Sequence, residues 1–256
     1  MTLRVLALSV LILVPVVAVC DDAPPPPPPQ DVWSGKGQLG FVESQGNTNS
    51  KSANAAIDMT YYDTPWKHVF HFGGLYGQSA GVTAAERWDT LWQSNRDITT
   101  DLFGFGALRY AHDLFSGFQY QATASAGLGY KFINTASTKL SGQIGVGYRR
   151  LRPEELVKDA AGAVIDRIPE DANGAAVFTA GLDYSQALTS TTSLSNKLLL
   201  EAGSSDTLLT DTLALTVKIS DKLALSVGYA LQDNSTPPAG LKRLDTVETM
   251  NLVFAF

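Results

Sequence analysis

The feature that most constrains the fold is an alternation of large apolar residues with small or polar residues, sustained over about ten residues at a time. In KLALSVGYALQ, residues 222–232, one face of an extended strand carries Leu223, Leu225, Val227, Tyr229 and Leu231, and the other carries Ala224, Ser226, Gly228, Ala230 and Gln232. Strands of soluble sandwiches typically run about 5–6 residues, whereas tilted membrane-spanning strands need about 9–11. The length favours strands that face lipid on one side.

About twelve segments have this length and pattern, near residues 33–43, 51–62, 66–77, 84–96, 101–111, 117–132, 137–150, 174–187, 192–203, 206–219, 222–232 and 245–256. An even number is expected for an antiparallel barrel that closes on itself. The sequence therefore predicts an all-β fold, a transmembrane antiparallel up-and-down β-barrel of about 12 strands.

The lengths of the connections indicate the orientation of this barrel. Short connections at 63–65, 97–100, 134–137, 188–192 and 220–221 alternate with others that include two long segments, Leu151–Asn173 and Asp233–Leu244. Outer-membrane barrels keep short turns in the periplasm and longer loops outside, so the first strand is predicted to start on the periplasmic side. The charge of Leu151–Asn173, with Pro153 and Pro169, predicts a surface loop without strands.

The N-terminal residues predict export. Residues 1–20 combine Arg4 with an apolar run, Val5–Val19, that is too short for a spanning helix, which is typical of a signal peptide. Val17–Cys20 is similar to a lipobox with Val19 where a small residue is expected, so lipidation of Cys20 and ordinary cleavage nearby both stay open. Residues 21–32, with six consecutive prolines, are predicted to be a periplasmic spacer, followed by the barrel over 33–256.

The C-terminal residues predict a lipid-facing final strand. The segment ETMNLVFAF places Met250, Leu252, Phe254 and Phe256 on one face. Chain ends of soluble domains are usually polar and frayed, so these large apolar side chains are expected to contact an apolar environment. Phe254 and Phe256 are interpreted as a C-terminal signal for the outer-membrane assembly machinery. The predicted partners are this machinery and the lipids of a Gram-negative outer membrane.

Several segments also carry a family resemblance. Residues Trp33–Tyr62, with the Gly46-Asn47-Thr48 turn, and the later AAERW and DLFGFGALRYAHDLFSGFQYQATASAGLGY resemble the uncharacterised outer-membrane barrel family typified by the enterobacterial salt-induced outer membrane protein (YdiY-like). The resemblance covers Trp33–Phe256. It implies an outer-membrane barrel, associated by that name with salt stress, whose biochemical role is unassigned.

Composition argues against several functional classes. The formal net charge is -6 without a basic stripe, which is unfavourable for binding nucleic acid. A single cysteine excludes an internal disulfide and a four-cysteine zinc site. His68 and His71 alternate to opposite faces of one strand, and the glycine run GQIGVGY lies in a strand with no helix after it. We therefore expect no metal and no cofactor.

One short segment could carry catalysis. In HDLFSG, His112, Asp113 and Ser116 lie on a predicted external turn, where a lipid hydrolase of the outer membrane would place its serine and histidine. Asp and Ser-Gly are also ordinary turn-forming residues. The turn interpretation is favoured, so no catalytic residue is predicted, and a rim-located lipid hydrolase stays as an alternative.

The predicted lumen is the remaining place for function. Projecting the alternation inward places ionisable side chains of both signs there: Lys36, Asp58, His71, Arg87, Asp89, Lys131, Arg149, Asp183, Lys197, Glu201 and Lys218. Such groups can line a small aqueous path, pair and close it, or merely satisfy one another. The sequence suggests a small passive channel for small solutes or an envelope-stress barrel, with a surface-loop binding protein as a further alternative.

Overall fold

The computed structural model describes residues 32–44, 50–114, 116–158, 164–238 and 241–256. The predicted signal peptide, Cys20, spacer residues 21–31 and the Gly46-Asn47-Thr48 turn lie outside the described residues. Within the described ranges, no helix is long and apolar enough to cross a membrane.

The described residues form thirteen β-strands. In chain order they are β1 (Val32–Ser44), β2 (Ser50–Asp63), β3 (Trp66–Ser79), β4 (Val82–Asp97), β5 (Leu102–Asp113), β6 (Phe118–Asn134), β7 (Thr138–Lys158), β8 (Val164–Pro169), β9 (Asn173–Ala187), β10 (Thr192–Gly203), β11 (Thr207–Lys218), β12 (Leu223–Asn234) and β13 (Leu244–Ala255). Most are long enough to cross a bilayer at a tilt.

Twelve of these strands close into a ring. Neighbours in sequence pair antiparallel from β1 to β7, β7 continues to β9, and β9 to β13 pair in turn until β13 returns to β1. The remaining strand, β8, pairs only with the far end of β7. The predicted all-β antiparallel barrel of about 12 strands is confirmed.

The expectation of a strand-free loop at Leu151–Asn173 is wrong. Strand β7 continues through Pro153 to Lys158 and forms a hairpin with β8. Both prolines are tolerated because neither is needed as a donor in a central ladder. Pro153 lies where β6 begins, and its carbonyl accepts from Glu170 N at 2.9 Å, while Pro169 is the last residue of the edge strand β8.

The barrel wall has two chemically different faces. On β12, Val227 is 49% exposed and points outward, whereas the adjacent Ser226 is 5% exposed and shares a 3.1 Å hydrogen bond with Thr216 on the inner face. Large apolar side chains are exposed in the same alternating way on most strands. Such exposure would be costly in water but suits a face solvated by lipid.

Aromatic side chains collect near both ends of the outer face. At the end where β1 starts, Trp33 stacks on Tyr61 at 4.8 Å, and His68 lies between Tyr61 and Trp66. At the opposite end, Tyr110 stacks between Trp88 and Tyr120 at 5.0 and 5.9 Å. Two aromatic bands flanking an apolar belt are typical of membrane barrels.

The seam between the first and last strands is the shortest ladder of the ring. It runs from Lys36 opposite Ala255 to Leu39 opposite Leu252, and Gly35 and Phe256 exchange backbone hydrogen bonds of 2.9 and 3.0 Å beyond it. By contrast, β1 pairs with β2 along its whole length. The terminal phenylalanine is thus part of the closure, with its ring on the outer face.

Candidate functional site

The inner face is identified by side chains that meet across strands that are not neighbours. Gln93 on β4 donates to Gln143 on β7 at 3.1 Å. The guanidinium of Arg109 on β5 lies 3.7 Å from the carboxylate of Glu201 on β10. Such contacts can form only through the interior of the ring, so the alternation on each strand then assigns its remaining residues to the lumen.

One ion cluster lies in the half of the lumen farther from the start of β1. It consists of Arg109, Arg149, Glu201 and Asp206, and we call it the outer cluster. Arg149 is 2% exposed and Glu201 3%, and their charged groups lie 3.8 Å apart. Arg149 also bonds to Asp206 in the β10–β11 turn. Two guanidiniums facing two carboxylates compensate the cost of burying each charge.

The outer cluster is not fully satisfied by hydrogen bonds. Among the described residues, the Nη1 atom of Arg149 and the hydroxyl of Thr179 are the buried side-chain polar atoms without a hydrogen-bond partner. Thr179 is the register partner of Glu201 on β9, so both unpartnered atoms belong to residues next to Glu201. Buried polar groups without partners are costly, which makes this the weak point of the packed half.

A second cluster occupies the other half of the lumen, close to the start of β1. Asp58 receives a 2.7 Å contact from Nδ1 of His71 and lies 3.6 Å from Lys36, while Nε2 of His71 lies 3.5 Å from Asp89. We call Lys36, Asp58, His71 and Asp89 the vestibule cluster. The side chains of Lys36 and Asp89 are 51% and 48% exposed, so this half of the lumen is open to water.

Further charges line the same half. Lys131 forms a 2.8 Å ion pair with Asp97. Asp183 and Lys197 are register partners on β9 and β10. Lys67 interacts electrostatically with Asp183, Lys197 and Lys131. Sequence reasoning missed Lys67, although the alternation of Lys67, Val69 and His71 would have placed it on the inner face.

The two remaining predicted residues lie nearer the ends of the lumen. Lys218 is opposite Ala224, a buried inner-face residue of β12, near the end of the barrel where β1 starts. Arg87 lies two residues before Asp89 on β4, and it interacts electrostatically with Asp245 at the outer end. The predicted lumen residues therefore fall into two clusters and a set of less tightly paired charges.

Apolar rings fill part of the lumen, which the polar pattern did not predict. Phe103 and Phe105 on β5 are buried. A Cβ atom built at Gly129 would collide with the Phe103 ring, and one built at Gly145 would lie 3.0 Å from the Phe105 ring. The glycines of β6 and β7 thus provide the space in which these rings pack.

The described residues of the β12–β13 connection, 235–238 and 241–243, lie at the mouth farther from the start of β1, and we call them the strap. Asp233 and Arg243 hold its base with bonds of 2.5 and 2.9 Å. Its Pro238 and Leu241 lie against Gly117 in the β5–β6 turn. In the ring of twelve, β12 and β13 stand opposite β5 and β6, so Pro238 and Leu241 reach the opposite side of the mouth.

The rim residues considered for hydrolysis make contacts to the backbone. A ring nitrogen of His112 bonds to the carbonyl of Gln119, and Ser116 Oγ donates to the carbonyl of Asp113 at 2.9 Å. His68 bonds to Ser94 on the outer face, away from His71. In the described part of the chain, no group of three or more His, Cys, Asp or Glu side chains could hold a metal ion.

Comparisons with known proteins give the family. The uncharacterized protein YdiY of Escherichia coli (strain K12) is 24% identical over 219 residues, which is 80% of this chain and 76% of that protein. The NanC porin matches with a TM-score of 0.47 and 10% identity over 87% of this chain and 98% of that one. The translocator domain of autotransporter NalP from Neisseria meningitidis matches with a TM-score of 0.45 and 14% identity, over 88% and 86% of the two chains. Residues 37–256 match the family described as "Protein of unknown function, DUF481", and the chain therefore belongs to that family.

Proposed function

We propose that the protein is an outer-membrane channel that passes small solutes through a narrow lumen with a closable outer half. The observation that carries the proposal is the asymmetry of the lumen. Its periplasmic half holds charged side chains in contact with water, and its outer half holds the buried ion pairs of the outer cluster.

The hydrated half argues against a purely structural interior. Lys36 and Asp89 are about half exposed although they face inward. A barrel that only had to be stable would gain more by filling this space with apolar side chains, as it does around Phe103 and Phe105. Solute paths through membrane barrels are instead usually water-filled and lined by charged side chains.

The outer cluster has the properties of a gate. Its two Arg–Glu201 contacts, 3.7 and 3.8 Å, are longer than hydrogen bonds, and Arg149 Nη1 lacks a hydrogen-bond partner among the described residues. Water that entered the outer cluster would supply the missing hydrogen bonds, so hydration of the cluster favours the open arrangement over the closed one. The strap above it adds a second closure at the mouth.

The outer surface supports the location. Its exposed apolar belt, the aromatic bands at Trp33 and Trp88, and the final Phe256 on the lipid-facing side are the features expected of an outer-membrane barrel in a Gram-negative bacterium.

Planar-bilayer recordings of the full chain purified from outer membranes test the proposal. The wild-type protein should give small unitary currents, and Glu201→Gln should raise the open probability severalfold because it removes the carboxylate that both arginines share. Glu43→Gln, at the outer end of β1, is the control and should behave as the wild type. Silent bilayers with wild-type and Glu201→Gln protein that is folded by heat-modifiable gel migration would refute the channel.

A further inference from the structure

We propose that the path selects small anions, and that Lys67 and Lys197 are the residues that bind them. This inference rests on the proposed channel and names its solute class. The class is a small oxyanion or carboxylate with one or two negative charges.

The first support is the charge balance of the periplasmic half of the lumen. The inner-face lysines of the described strands there are Lys36, Lys67, Lys131, Lys139, Lys197 and Lys218, and the corresponding carboxylates are Asp58, Asp89, Asp97 and Asp183. The chain as a whole carries a formal charge of -6. Positive charge is thus concentrated in this half of the lumen, although the chain as a whole is negatively charged.

The second support is the pairing of these charges. Asp58 and Asp89 are held by His71, and Asp97 is held by Lys131. Within the described residues, no carboxylate lies within 4.0 Å of the ammonium of Lys67 or Lys197. Asp183 acts on Lys67 electrostatically and is the register partner of Lys197, while Asp97 also acts on Lys67 and Asp58 interacts with Lys197 over a longer range. Neither ammonium is therefore held in a direct ion pair.

The third support is their position around the axis. Strands β3 and β10, which carry Lys67 and Lys197, stand opposite each other in the ring of twelve, and β6, which carries Lys131, lies midway between them. Lys67 interacts electrostatically with both other lysines. The three ammoniums therefore point into one common space from three sides of the wall.

This arrangement suits an anion in the lumen. Ammoniums that face one another repel when the space between them holds only water, and an anion between them converts the repulsion into attraction. Rings of lysine or arginine are the means by which anion pores select their solutes. The nearby Phe103 and Phe105 rings reduce the available width, which favours small anions.

The test is the reversal potential of single channels in a potassium chloride gradient, followed by phosphate and acetate in place of chloride. The wild-type protein should prefer the anion. Lys67→Gln combined with Lys197→Gln should bring the permeability ratio of chloride to potassium severalfold closer to one, and the two Lys→Glu changes should reverse it. Lys51→Gln, which alters a lysine paired with Glu43 at the outer end of β2, is the matched control and should leave the ratio unchanged.

The outcomes separate the two proposals. Unitary currents that favour potassium in the wild type, or a ratio that the double glutamine variant leaves unchanged, would overturn the anion assignment and leave the channel standing. Absence of currents from both wild-type and Glu201→Gln protein would overturn both. Gel migration of each variant before and after heating verifies that it is folded.

Discussion

Arginine in place of Val146 should destabilise the folded barrel in a bilayer strongly. Val146 is 71% exposed on the outer face of β7, between the register neighbours Ala126 and Phe178. Neither neighbour carries a negative charge that could form an ion pair with a cation. An arginine at mid-depth on the lipid face costs roughly 2–4 kcal/mol. This corresponds to a decrease of roughly 30- to 700-fold in the folding equilibrium constant.

The control is the same change on the inner face. Thr212 on β11 is exposed toward the lumen between Lys197 and Ala230, so Thr212→Arg should cost much less because its guanidinium stays hydrated. Ser226 would be a poorer control, since it is buried and bonded to Thr216. The measurement is reversible unfolding in urea with lipid vesicles present. Similar losses for Val146→Arg and Thr212→Arg would refute the assignment of the two faces.

The remaining predictions concern the mouth, the rim and the topology. Leu241→Ser should increase the frequency of channel openings because the strap loses its contact with Gly117, and unchanged gating would mean that the strap does not close the mouth. Alanine at His112 or Ser116 should leave phospholipid and lipopolysaccharide cleavage at background, and loss of a wild-type cleavage activity would establish the hydrolase instead. Trypsin added to intact cells should cut after Lys158 in the β7–β8 hairpin and spare Lys222 until the outer membrane is permeabilised. The reverse pattern would mean that the barrel has the opposite orientation in the membrane.

Much of the fold could be predicted because the two-residue alternation of a strand can be recognised within a short segment of sequence. The alternation around Val227 and Ser226 predicts which residue meets lipid and which meets the lumen, and an even number of such segments predicts closure. The β7–β8 hairpin could not be predicted in this way. Its prolines and charges favour a loop locally, and it forms because β7 continues past the rim and provides an edge for β8.

The site was less accessible to sequence reasoning. Alternation predicts that Arg149 and Glu201 face inward, but their meeting depends on the stagger of strands that are not neighbours, which no local pattern encodes. The filling of the lumen by Phe103 was missed for a related reason. Gly129 on β6 provides room for this ring from the adjacent strand, a contact that alternation along one strand does not predict.

The short ladder between β1 and β13 marks the position at which the barrel closes during folding and at which its strands separate most easily. A ring of paired strands has to be joined last at some ladder, and the one from Lys36 to Leu39 has the fewest backbone bonds to form or break. Until it forms, both terminal strands present open edges that can pair with another sheet. In the finished protein, amide exchange should be fastest along these residues, and two barrels joined through swapped ends would be the characteristic product of failed closure.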